Sequence, residues 1–143
     1  MSLDVIDQTL LNELGENARC PMALLARKVG LSRTAVQARI ARLERDKVIV
    51  GYGVRSGGAY EQSMVQAHVM LTVGTKQSGQ VEAALRKIAE VRSLLSVSGS
   101  FDMIVIVRAS SIARLDGLID AIGLLDGVER TRTSVVLSTR FQR

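Results

Sequence analysis

The sequence predicts an α+β chain in two parts: an N-terminal winged helix-turn-helix domain and a C-terminal ferredoxin-like βαββαβ domain. Three observations predict it. Within residues 25–46, apolar residues recur at helical spacing on both sides of Gly30. From Val65 onward the hydrophobic period drops to two and strands alternate with helical stretches. Between these parts Gly51, Gly53, Gly57 and Gly58 crowd together, which lowers the preference for any regular structure.

Asp4 can cap a first helix that turns Ile6, Leu10, Leu11 and Leu14 inward and ends at Gly15. Cys20 and Pro21 open the second helix, proline suiting a first helical position where its missing N–H costs nothing. Leu25, Ala26 and Val29 share its inner face, and Gly30 makes the tight turn. Ser32 then caps a third helix with Val36, Ile40 and Leu43 as its buried stripe. Roughly opposite that stripe lie Thr34, Ala38, Ala41 or Arg42, and Arg45, with Arg33 and Gln37 beside the helix start. This face is slim and polar at its N-terminal end and cationic further along. Such a helix can enter a major groove, reach base edges with its first turns and meet phosphates with its arginines. Arg33, Thr34, Gln37 and Ala38 are the expected base-facing residues, with Ser32, Arg39, Arg42 and Arg45 at or near phosphates. The competing reading is an ordinary helical pair whose arginines are merely solvated.

After Lys47 the β-prone residues Val48, Ile49, Val50 and Tyr52 predict a short strand leaving the unit. The expected division is residues 1–53 for DNA binding, 54–63 for a hinge, and 64–143 for a second domain; a wing-like loop is the other reading of the glycine-dense stretch.

In the second part Val65, Ala67, Val69, Leu71 and Val73 alternate with polar or half-polar neighbours, as in a half-buried strand. A helix follows from Ser78 with Val81, Ala84, Leu85 and Ile88 on one face. Residues 94–98 read as a strand, 99–102 as a turn and 103–108 as another strand. Ser111 caps a helix with Ile112, Leu115, Leu118, Ile119 and Ile122 inward. Asp126 and Gly127 turn the chain into a last strand over 128–139. The order is that of a ferredoxin-like sandwich. Two helices cover one face of a four-stranded sheet. Yet the run from Met103 to Val107 is apolar on both sides, as is Val135-Val136-Leu137, so a second copy is expected against the other face.

The formal charge of +5 suits a polyanionic partner. With no Trp, two Tyr and two Phe, stacking platforms for single strands are scarce. One Cys, Cys20, and one His, His68, give neither a disulfide framework nor a metal site. Cys20 reads as a helix start and His68 as a residue on a strand's polar face. Apolar runs are too short to span a bilayer and no charged-then-apolar leader precedes the first helix, so a soluble cytoplasmic protein is expected. A nucleophile with a base partner, paired carboxylates and a phosphate-cradling glycine motif are all missing, which argues against an enzyme.

Together, Leu3-Asp4, Asp7, Asn17-Ala18-Arg19, Val29-Gly30-Leu31-Ser32, Arg39-Ile40 and Leu43-Glu44, with Gly99-Ser100-Phe101-Asp102, Gly127-Val128 and the run from Arg130 to Ser134, resemble the Lrp/AsnC (feast/famine) transcriptional regulators. The resemblance implies a repressor or activator that pairs through its C-terminal domain and gathers into octamers. It also implies an amino acid or related metabolite as effector, with no cofactor. The family's effector turn maps onto Gly99, Phe101 and Asp102, where a glycine lets backbone N–H groups approach a carboxylate and Asp102 could take an ammonium. Thr131, Thr133 and Ser134 could add hydroxyls. A plain hairpin turn and a hydroxyl-rich surface strand are the alternatives for these two segments. The chain departs from the family where Phe101 replaces the commoner tyrosine and Arg33 a common proline. An architectural DNA-binding protein with little effector control is the rival function.

Overall fold

The structure, a computed structural model, describes residues 2–142. They divide into two compact units that part between Arg55 and Ser56.

In the first unit, α1 (Val5–Glu16), α2 (Met22–Val29) and α3 (Arg33–Arg45) enclose Leu10, Leu25, Ala26, Val36 and Ile40. Asp4 caps α1 by accepting the Asp7 N–H at 2.8 Å, and the Asp7 side chain accepts the Asp4 N–H in return at 3.3 Å. Both donors are thereby satisfied at a helix end that would otherwise leave them orphaned. The helix runs one residue past Gly15, where an end is expected, and Asn17 closes it. Pro21 sits just ahead of α2 and not inside it. Gly30, at φ 69°, ends α2 in the left-handed conformation that costs glycine least. The expected strand at residues 48–52 does not form. The N–H groups of Val48 and Ile49 both turn back to the Leu43 carbonyl, at 2.9 and 3.0 Å, and close the end of α3. Tyr52 then folds back too. Its hydroxyl donates to Glu44 Oε1 at 2.6 Å, and that carboxylate, aided by partial burial, pushes the phenol up to about 12.

The second unit opens with α4 (Gly58–Ser63), a short helix inside the stretch expected as a hinge. Glycine weakens it, but tertiary contacts hold it: Glu61 accepts from Arg108 at 2.6 Å, and the Arg108 guanidinium lies over the Tyr60 ring. Then come β1 (Val65–Val73), α5 (Ser78–Leu85), β2 (Val91–Ser96), β3 (Met103–Ala109), α6 (Ile112–Gly123) and β4 (Val128–Val135). The strands form one antiparallel sheet in the order β2-β3-β1-β4.

Alternation sorts the sheet. Ala67, Val69 and Leu71 of β1 and Met103, Val105 and Val107 of β3 bury against Val81 and Leu85 of α5 and Leu115, Leu118 and Ile122 of α6. Ile112 does not join them; at the first position of α6 it is exposed. Met70, Ile104, Ile106 and Leu95 fall on the opposite, helix-free face, with Leu95 across from Ile104 and Ile104 across from Met70. Strand β2 begins three residues earlier than expected, and its register shifts between Val91 and Ser93. Strand β4 stops at Val135, short of residue 139, and the Val136 N–H continues the ladder, donating to the Gln66 carbonyl at 2.8 Å. Leu137 lies beyond it, exposed.

Candidate DNA-reading helix and effector turn

Helix α3 presents its residues as its stripe requires. Val36, Ile40 and Leu43 are buried, which leaves Ser32, Arg33, Thr34, Gln37, Ala38 and Arg45 exposed. Ser32 Oγ accepts the Ala35 N–H at 3.1 Å, and this cap leaves the first turn open to solvent. Arg45 has only a distant partner, Asp46 at 3.7 Å, so its guanidinium is available.

Arg39 and Arg42 are placed differently from the rest. Arg39 Nη1 lies 2.6 Å from Asp4 Oδ2 and 2.9 Å from Asp7 Oδ1, and Arg42 Nη2 lies 2.5 Å from Asp7 Oδ2. These two guanidiniums face the carboxylates of the α1 end. Burial alone would push the Asp7 carboxyl up; Arg39, the Asp4 N–H and Arg42 outweigh it and hold the group below the ordinary carboxylate value. Asp4 is held low as well, first by the Asp7 N–H and then by Arg39. A local reading of α3 could not find these partners, which lie more than thirty residues upstream. One signal was present: Asp7 is a carboxylate on the same helical face as Leu10 and Leu14.

The turn before β3 is built around Asp102. Its N–H donates to the Leu71 carbonyl at 2.9 Å, its carbonyl accepts the Val97 N–H at 3.0 Å, and its Oδ2 accepts the Val73 N–H at 2.8 Å. Gly99 adopts φ 110°, and Phe101 is half-buried beside it. Asp102 is thus a fastening for the turn, with its second carboxylate oxygen left over among the described residues.

The expected hydroxyl group on β4 divides. Thr131 pairs with Leu71 and Thr133 with Val69, so both share the helix-covered face, whereas Ser134 pairs with His68 on the other. Thr131, Leu71 and Met103 lie in register across three strands, which puts Thr131 about 10 Å across the sheet from Met103, the residue following Asp102. Ser134 cannot join Thr131 and Thr133 within one chain.

Among the described residues, no group of His, Cys, Asp and Glu could hold a metal ion, and no helix is long and apolar enough to cross a membrane.

Residues 3–44 match the AsnC-type helix-turn-helix domain and residues 66–143 the Lrp/AsnC ligand binding domain. The chain is 35% identical over 141 residues to the HTH-type transcriptional regulator LrpA of Mycobacterium tuberculosis, covering 98% of this chain and 93% of that one. It is 33% identical over 139 residues to the leucine-responsive regulatory protein of Salmonella typhimurium, covering 94% and 85%. A feast or famine regulatory protein from M. tuberculosis, solved in complex with L-methionine, superposes with a TM-score of 0.88 at 34% identity, over 99% of this chain and 96% of that one. With both domains matched and the fold shared along its length, the chain belongs to the Lrp/AsnC family of transcriptional regulators.

Proposed function

We propose that α3 reads double-stranded DNA and that an amino acid or related small metabolite, bound around Gly99, Phe101 and Asp102, controls the reading. The observation that carries the DNA half is the exposed face of the Ser32-capped helix. Arg33, Thr34, Gln37 and Ala38 approach bases, and Ser32 and Arg45 approach phosphates. The methionine complex of the M. tuberculosis relative supports the effector half. Thr131 and Thr133 are the hydroxyls suited to the same site, and Ser134 contributes only to an assembly in which the other sheet face meets a partner. The chain works without a catalytic step, metal or cofactor, in the cytoplasm, as a dimer joined through the helix-free face and further gathered into an octamer. Residues 1–53 are its DNA-binding domain, 54–63 the connection and 64–143 the effector and assembly domain.

Gel shifts of the full chain at several salt concentrations test this. Arg45→Gln reduces the salt slope by about 0.9 on every sequence, and Gln37→Ala changes sequence preference. If both leave binding untouched, α3 is not the reader. The net charge of +5 gives some support to an architectural role with little effector control. Titrating the amino acids into a DNA-bound sample separates the two, since an effector must shift affinity or assembly.

A further inference from the structure

Asp7 is the one charged residue that is buried among the described residues. Its two oxygens hold two different arginines of α3, Arg39 on Oδ1 and Arg42 on Oδ2, while Asp4 holds Arg39 a second time. Two carboxylates therefore neutralise two guanidiniums on a helix whose remaining arginines, Arg33 and Arg45, have no partner on α1 among the described residues, Arg45 reaching only its neighbour Asp46 at 3.7 Å. Arg42 is the informative one. It sits about 80° around the helix from Thr34, at the margin of the exposed face, and 41% of its side chain is accessible. A nearby phosphate is within the reach of so long a side chain. Moving there would strip a buried carboxylate of one partner, which is costly.

We infer that Asp7 is a specificity-determining residue: by keeping Arg39 and Arg42 on α1 it withholds two cations from the DNA backbone and keeps affinity for arbitrary sequence low. The inference rests on α3 being the reader. Phosphate contacts raise affinity for all sequences alike, whereas base contacts discriminate. A reader helix with four free arginines would bind everything more tightly and select less.

The test uses the full chain with two duplexes, one of arbitrary sequence and one carrying a site selected by the unaltered chain from a random pool. Arg42→Gln is expected to leave the salt slope on both duplexes unchanged. Asp7→Asn is expected to steepen it by roughly one to two and to tighten binding to the arbitrary duplex roughly tenfold in dilute salt, lowering discrimination. Asp7→Asn with Arg42→Gln returns part of the way. A slope flattened by about 0.9 in Arg42→Gln alone means that Arg42 already touches phosphate, and overturns the inference. So does a folded Asp7→Asn with an unchanged or shallower slope. Should Asp7→Asn fail to fold, Arg42→Gln decides alone. Arg45→Gln is the control: if it too leaves the slope unchanged, the reader assignment fails and the inference falls with it; if Arg45→Gln and Arg42→Gln both flatten the slope, only the inference fails.

Discussion

Asp102 is joined to Val73 by a side-chain bond, its Oδ2 accepting the Val73 N–H at 2.8 Å, so the turn before β3 is pinned to the end of β1. Two substitutions separate this structural part from any part in binding. In Asp102→Asn the amide oxygen can still accept from Val73, so the melting temperature stays close to that of the parent chain. In Asp102→Ala the acceptor is gone and stability falls by about 1 kcal/mol. If the carboxylate also holds an effector's ammonium, the stabilisation that an amino acid confers in a thermal-shift screen disappears in both variants. An unchanged shift in Asp102→Asn removes the carboxylate from the effector site.

Gly99 and Gly127 both have positive φ, at 110° and 97°, but their surroundings differ. A Cβ at Gly99 meets nothing within 4 Å, whereas one at Gly127 would lie 2.8 Å from Gln77 Cβ and 2.9 Å from Val81 Cγ2. Gly99→Ala therefore costs backbone strain alone, about 1 kcal/mol. Gly127→Ala adds overpacking against α5 and loses a further 1 kcal/mol or so. Denaturant midpoints for the two variants check the order, and equal losses would refute it.

Acid should loosen the first unit through Asp7. Its folded carboxyl lies below the ordinary value of 3.8, so the stability it contributes is fully present above that value and is lost as pH falls through the folded one. At neutral pH, Asp7→Asn is expected to be less stable by about 2 kcal/mol, the order of a lost hydrogen bond to a charged group. That gap should close as pH drops from about 5 towards 2, followed by helical circular dichroism on heating. A gap that stays constant with pH would mean that the charge on Asp7 contributes nothing.

Leu95 is 46% exposed although it belongs to the row with Ile104 and Met70 on the helix-free face. Leu95→Asp leaves the interior of the unit alone and puts a charge into the expected dimer contact. Sedimentation at micromolar concentration should then show single chains, and DNA affinity should fall by roughly tenfold or more as two half-sites cease to be held together. An unchanged sedimentation coefficient would place the dimer contact elsewhere.

Most of the fold could be read from local pattern because the pattern was itself the cause. The Ser32 cap, the stripe of Val36, Ile40 and Leu43 and the alternation of β1 each report a nearby physical demand. The misses came where the chain folded back on itself or a distant group intervened. Val48 and Ile49 have strand propensity, but their amides are engaged by Leu43, and a strand also needs a neighbour. Helix α4 forms in a glycine-rich stretch because Arg108 holds Glu61 from β3. Arg39 and Arg42, expected at or near phosphates, have the carboxylates of Asp4 and Asp7 opposite them, and no local reading of α3 shows those partners. The grouping of Ser134 with Thr131 and Thr133 is another matter. Strand parity already separates position 134 from 131 and 133, so that division was legible in the numbering alone.

The pairing of β1 with β4 sets Ala67 opposite Val135, so the first and last strands of the second unit run side by side. The start of β1 and the end of β4 thus lie side by side. A protein engineer could splice this unit into a surface loop of an unrelated host, or join its two ends and cut it open elsewhere, without stretching the backbone across the sheet.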